Sequence, residues 1–335
     1  MRRSLLACIV TLGLAPLPSV ADPGLPPVEV HATPITAFLL GSNQTKFGSL
    51  EFRGGLELGS LDNNFGSLSG LDFAPDGTLY AVADTGFWFS AKLTEDGGRL
   101  TGLTDAKLGP ILLQNGKPGA SKIDTDAEGL RIVEENGVTH ALVSFEQTPT
   151  VRIYPGPVFA TATPKKIPLP KFVNNISLNK GLEGIAVASA DGPFAGATIA
   201  IAERSLDAAG NHRGFVLSGP RKGTFSIHRT ADYDVSDAAF LPGGDLLILE
   251  RRFSFSGGFA VRIRRIAGDD IQPNATVDGT VLLEADSGYR IDNLEGLAVR
   301  SVPDGETLLD LVSDNNQNMF QQTILLQFAL PADPK

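Results

Sequence analysis

One hairpin plan recurs five times along this chain, and that recurrence constrains its fold more than any other feature. The copies are "SGLDFAPDGTLYAVAD" from Ser69, "EGLRIVEENGVTHALVSFE" from Glu128, "EGIAVASADGPFAGATIAIAE" from Glu183, "SDAAFLPGGDLLILE" from Ser236 and "EGLAVRSVPDGETLLDLVSD" from Glu295. Each reads as an apolar strand, a turn carrying Asp-Gly, Asn-Gly or Gly-Gly, a second apolar strand and a terminal acid. The dipeptides supply the positive φ angles that tight hairpin turns require. Successive copies start 53 to 59 residues apart, which leaves room for four strands per unit. The intervals hold further strand candidates, among them "FWFSAKL", "TVRIY", "RGFVL", "AVRIRRI", "TILLQFAL" and the short "TVLLEA".

Four antiparallel strands repeated at such a period predict an all-β fold, a β-propeller whose blades surround a central channel. A β-sandwich is the competing architecture, but it needs no fixed period. The last copy lacks a fourth strand before Lys335. The N-terminal segments "ITAFLL" and "GSLEFRGGLEL" are candidates to complete it and close the ring. Five blades follow from the count, and a sixth stays open if residues 34 to 60 and the C-terminus build one of their own.

Ahead of the repeats, Arg2 and Arg3 precede an apolar run from Leu5 to Ala15 and the small-residue sequence Ser19-Val20-Ala21. This pattern predicts a secretory signal peptide over residues 1–21, and residues 22–335 as one propeller domain in the periplasm or outside the cell. Cys8 is the only cysteine, so the 314 residues after Ala21 offer no disulfide, thiol nucleophile or thiolate metal ligand. A formal charge of −10 argues against nucleic acid and anionic membranes as partners and suits a cation. No later run is long enough for a membrane-spanning helix, so a monomer without membrane insertion is expected.

Two acidic positions recur within the hairpin. Glu128, Glu183 and Glu295 each stand immediately before the Gly that opens the first strand, where Ser69 and Ser236 stand in the other copies. In a propeller that strand lines the channel, so three glutamates should converge at one end of it. Unpaired, they would raise one another's pKa, and a bound cation or a ring of Arg partners is the economical way to keep them ionised. The second position ends the second strand: Asp84, Glu146, Glu203, Glu250 and Asp314. Antiparallel pairing puts both positions at one rim. Asn63, Asn179, Asn293, Asn315 and Asn316 add neutral oxygen donors nearby, and an all-oxygen set selects calcium or magnesium. Strand-end acids also serve as ordinary ion-pair partners, and Arg204, Arg251 and Arg252 directly follow two of them.

Other chemistries lack their signatures. There is no Gly-x-Ser-x-Gly elbow, no His-Glu-x-x-His, no phosphate loop and no dinucleotide fingerprint, and the four histidines sit at no equivalent position. Trp88, between Phe87 and Phe89, reads as core between blades. The successive segments "FGSLSGLDFAPDGTLYAVADTG", "DAEGL", "NKGLEGIAV", "DAAFLPGGDLLILERRFS" and "IDNLEGLAV…LVSDNNQ" resemble the phytase-like family of secreted bacterial proteins, described by an esterase-like activity of phytase. The resemblance spans about residues 45 to 330 and implies a periplasmic propeller hydrolysing phosphorylated or ester substrates. It supplies no catalytic residues. "ADTG" at 83–86 replaces a more usual Asp-Arg, and the dense basic and acidic clusters of calcium-dependent propeller phytases are missing, which argues against phytate. The residue before the strand-opening Gly is also similar to the position that binds the catalytic cation in gluconolactonase-like propellers.

The combined expectation is a secreted, metal-dependent hydrolase of phosphoester, ester or lactone bonds with a small anionic or ester substrate. Glu128, Glu183 and Glu295 would hold the metal, with calcium expected first. Glu203 or Asp314 would act as base, and Arg204, Arg251 and Asn293 would contact substrate. The alternative is a non-catalytic propeller binding a ligand or protein partner in the cell envelope.

Overall fold

The five hairpins become the inner halves of five sheets in a computed structural model that describes residues 24–173, 176, 181–302 and 305–331. The expected signal peptide and Asn179 lie outside the described residues. Blade 1 comprises Leu68–Phe73, Thr78–Ala83, Phe87–Asp96 and Arg99–Pro110, and blade 2 comprises Ala127–Glu135, Val138–Phe145, Thr150–Tyr154 and Lys165–Ile167. Blade 3 comprises Leu182–Val187, Thr198–Ala202, His212–Val216 and Gly223–Ile227, with Thr276–Val277 added in parallel at its outer edge. Blade 4 comprises Asp234–Phe240, Leu246–Ser254, Gly258–Ile266 and Thr280–Ala285. The inner strand of each blade packs against the inner strands of both neighbours, so the ring is closed.

Blade 5 joins the two ends of the chain. Leu294–Ser301, Thr307–Ser313 and Thr323–Leu330 come from the C-terminal side, Leu50–Gly59 from the N-terminal side supplies the fourth strand, and His31–Ile35 adds a fifth. The expected completion by "GSLEFRGGLEL" is therefore observed. A sixth blade is not formed, because the N-terminal strands are spent on the outer edge of the fifth. Of "ITAFLL" only Ile35 is in a strand; Phe38 instead anchors a ring cluster with Phe47, Phe52, Tyr289 and Phe328.

The core is divided as a propeller requires. Five apolar clusters occupy the five interfaces between blades, and each strand alternates its side chains between the two clusters it borders. Trp88 lies fully buried between blades 1 and 2 against Tyr154 and Phe159, as expected. Among the described residues no helix is long and apolar enough to cross a membrane.

Two features shape the channel. In all five blades the register between the first two strands slips at the same place, at Ser69, Glu128, Glu183, Ser236 and Glu295. The recurrent residue is thus the extra residue of a β-bulge, a device that re-aims a side chain out of the ladder. The glycine after it permits close approach of the next blade: a Cβ on Gly70 would sit 2.3 Å from the Glu128 carbonyl oxygen, and one on Gly129 2.6 Å from that of Glu183. Blade 4 carries Asp237 in place of that glycine. Its carboxylate accepts the N–H groups of Ala238 and Leu297 and pairs with Arg131 at 3.0 Å. The Arg131 guanidinium also donates to the carbonyls of Leu71, Leu130, Ala238 and Leu297, so one side chain ties four blades together across the axis and stoppers the channel.

Candidate functional site

The mouth of the channel is built by a backbone rule. The N–H groups of Asp84, Glu146, Glu203 and Asp314 donate to the carbonyls of Ser67, Asp126, Gly181 and Asn293, each two residues before the bulge. The strand-end acids and the bulge residues therefore share one rim, as the antiparallel plan dictates. Glu250 departs from the set. Its strand continues to Ser254, and its buried carboxylate is clasped by Arg262 at 2.8 Å and Arg264 at 2.6 Å, a purely structural ion pair.

Seven of the expected acids remain at the mouth, and an eighth joins them. Asp126 is 1% exposed, and neither of its carboxylate oxygens accepts a hydrogen bond. Lys122, on the short helix Lys122–Thr125, lies 3.3 Å from Asp126 and 2.6 Å from Asp84. Neither residue stood out in the sequence, since the position two before the bulge is Ser, Asp, Gly, Asp and Asn in the five copies. The "DAEGL" motif was the one available signal.

Carboxylate oxygens come within 4.8 Å of one another in two triads: Asp126, Glu128 and Glu146, then Glu146, Glu183 and Glu203. Glu146 belongs to both. Glu128 and Glu183, expected as metal ligands, therefore each meet two acids, while Glu295 belongs to neither triad. Its carboxylate is 3.0 Å from Arg251 and accepts the Asn293 amide at 2.7 Å. Arg251 also reaches Glu203 at 3.5 Å. Two of the three expected contact residues, Arg251 and Asn293, thus face the mouth. Arg204 is paired with Asp234 and is more than half exposed. Asn315 and Asn316 act as loop supports, the first accepting the Ser67 N–H and the second donating its N–H to Asp314. Asn63 contributes only its backbone carbonyl, to Gln317.

The electrostatics follow from crowding in a dry place. Burial, then the charges of Glu183 and Glu295, hold Glu128 well above the usual carboxylate range. Glu183 is raised likewise, by burial and then by Glu203 and Glu146. Burial lifts Glu295 to about 8 despite Arg251, and Glu146 to about 7 with Asp126 adding to the shift. Asp314 rises to about 6 through burial and the charge of Asp84. Arg251 is held firmly protonated by Glu295 and Glu203, which outweigh its own burial. The buried acids form clusters able to hold a metal ion, and every donor is a hard oxygen.

A cavity of about 510 Å3 opens against this rim, lined by the polar Arg251, Asn293 and Glu295 together with the rings of Phe253, Phe259 and Phe320. A larger one of about 760 Å3, bordered by Asp72, Arg131 and Glu134, lies at the far side of the Arg131 stopper.

A family model described as "Phytase-like: Esterase-like activity of phytase" matches residues 63–317. No curated protein matches the chain in sequence. Among solved structures, an endo-1,4-beta-xylanase from Bacteroides thetaiotaomicron is similar at 11% identity and a TM-score of 0.46, over 78% of this chain and 90% of that one. A GH43_1 enzyme from Xanthomonas citri is similar at 10% identity and 0.44, over 78% and 87%. A putative oxidoreductase (glucose dehydrogenase) from Thermus thermophilus is similar at 13% and 0.32, over 78% and 96%. At these values the structural likenesses carry nothing about chemistry.

Proposed function

The chain belongs to the phytase-like family, and from that premise we propose that it is a divalent-cation-dependent hydrolase of phosphoester, ester or lactone bonds, working at the acidic mouth of the propeller. The observation that carries the reading is the pair of carboxylate triads joined through Glu146, with both Asp126 oxygens and one Asp84 oxygen buried and lacking hydrogen-bond donors. Such a cluster stays ionised at neutral pH only beside positive charge. Asp126, Glu128, Glu146 and Glu183 would hold the cation, with calcium fitting the all-oxygen set; Glu295, expected beside them, stands with Arg251 instead. When bound, the cation supplies positive charge against which a scissile oxygen polarises.

The remaining roles fall to the chain's own groups. Asp314, lifted to about 6, is ionised at neutral pH yet basic enough to take a proton from an attacking water. Glu203 is the second candidate base. Arg251 is a fixed cation at the wall of the cavity, suited to the oxygen that gains charge, and Asn293 orients Glu295 beside it. Arg204, half in solvent and paired with Asp234, is an outer contact at the edge of the site. The leader-like residues 1–21 support a secreted or periplasmic location.

A panel of aryl phosphates, aryl esters and lactones, assayed with calcium and with chelator, tests the proposal. Chelator-sensitive turnover of one class is expected. Calcium-dependent stabilisation with no turnover in any class would overturn it in favour of a binding module of the cell envelope.

A further inference from the structure

Blade 4 differs from the other four in a way that bears on what enters the mouth. The second strands of blades 1, 2, 3 and 5 end at Ala83, Phe145, Ala202 and Ser313, just before the rim acid. In blade 4 the strand runs on from Glu250 to Ser254 and pairs throughout with Gly258–Ile266. At about 3.3 Å per residue the hairpin stands roughly 13 Å above the rim. It carries Phe253, Phe255 and Phe259, with ring centroids 5.7 Å apart for Phe253 and Phe255 and 5.0 Å for Phe253 and Phe259. The segment after Asp314 adds Phe320 to the lining of the 510 Å3 cavity, and both Phe320 and Phe255 are almost wholly exposed.

Apolar rings held in solvent cost free energy unless something covers them in use. Their position says what. The wall they form is continuous with Arg251, Asn293 and Glu295, so an occupant of the cavity touches the candidate site and the rings together. Charge narrows the choice further. Among the described residues eight carboxylates crowd the rim, and Lys122 and Arg251, which stand within salt-bridge distance of four of them, are already engaged. A polyanion is repelled here, even with one divalent cation bound. A cavity of this size suits one aromatic ring or a short alkyl chain.

Resting on the hydrolase reading above, we propose that the substrate is an uncharged carboxylic ester or lactone bearing an aryl or medium-length alkyl group, which seats between Phe253, Phe259 and Phe320 while the ester faces Arg251. Phosphorylated polyols are excluded by the same surface.

The test separates the two readings. N-phenylhexanamide, a neutral amide that the site need not hydrolyse, is titrated calorimetrically into the calcium-loaded protein and into the F253S/F320S double variant. Both positions are solvent-exposed, and melting curves verify the fold. Binding to the parent and a loss of about tenfold or more in the variant are expected, with acetanilide weaker than the hexanamide and inositol hexakisphosphate unable to displace it. No binding at millimolar ligand, equal affinity in both proteins, or displacement by inositol hexakisphosphate overturns the inference. Ring-dependent amide binding without turnover of p-nitrophenyl hexanoate upholds the pocket and removes the hydrolase reading. Chelator-sensitive turnover that prefers p-nitrophenyl phosphate and ignores the double substitution does the reverse.

Discussion

Replacing Glu295 with Gln should make the metal-free protein more stable at pH 8, although the change breaks an ion pair with Arg251. The sign follows from the pKa. An unfolded glutamate titrates near 4.5, whereas the folded Glu295 is lifted to about 8, so burial and like charges outweigh the pull of Arg251. A carboxyl with a raised folded pKa contributes its full stability below the unfolded value and loses it as pH rises through the folded one. Between pH 4.5 and pH 8 that loss amounts to about 4 kcal/mol at ~1.4 kcal/mol per unit. Neighbouring acids can take up the proton in its place, so a gain of about 2 to 4 kcal/mol in the variant is expected, roughly 3 to 6 °C in Tm for a chain of this length. Gln retains an acceptor for the Arg251 guanidinium and the shape of the side chain. Calorimetric melting in chelator at pH 5 and pH 8 provides the assay. Parent and variant should coincide at pH 5 and separate at pH 8, and millimolar calcium should raise the parent more than the variant at pH 8. A variant less stable than the parent at pH 8 in chelator would show that Arg251 dominates and would refute the reasoning.

Four other substitutions probe the site and its surroundings from different sides. Glu146→Gln removes the carboxylate common to both triads and should weaken calcium binding by about tenfold or more in a calorimetric titration, since each ligand charge contributes strongly to affinity. Glu250→Gln is the contrast: it should leave calcium affinity unchanged and cost about 3 to 5 kcal/mol in denaturant melts by stranding Arg262 and Arg264. Lys122→Met removes the ammonium that compensates Asp84 and Asp126, so the metal-free Tm should fall at pH 8 while calcium affinity rises; unchanged affinity would separate Lys122 from the cation site. Arg131→Met should destabilise by a similar 3 to 5 kcal/mol, because Asp237 is left charged and buried, and the deficit should shrink below pH 6 as Asp237, lifted to about 6 even with its partner, takes a proton.

The architecture was legible because it is periodic. Turn dipeptides and alternating strands repeat on a fixed spacing, and the number of repeats sets the number of blades. The bulge glutamates were legible for the same reason, since a position that recurs in register must recur in space. What escaped is what breaks the period. Asp126 stands at a position that is acidic in one other copy alone, at Asp234, Lys122 lies outside the hairpin plan, and Asp237 replaces a glycine once. Glu250 matched the acidic pattern, yet its strand continues past the rim and two arginines of the adjacent strand claim it. Glu295 matched its position too, but the pairing with Arg251 depends on a neighbouring blade, 44 residues earlier in the chain. Periodicity reports the frame; contacts between unequal blades decide the charges.

The fourth strand of blade 5 also dictates an order of events. Leu56 pairs with Leu325, so the ring cannot shut until nearly the whole chain is present. The entropic penalty of so long a loop grows only logarithmically, and the finished protein bears it easily, but the search for that contact is slow. Until it is found, Leu50–Gly59 and Thr323–Leu330 are two apolar strands with open edges, each a template for the wrong partner. Folding yield should therefore depend on protein concentration, with exchange of the N-terminal strand between two chains as the characteristic error. A synthetic peptide of residues 50–59 added during refolding should compete for the same seam.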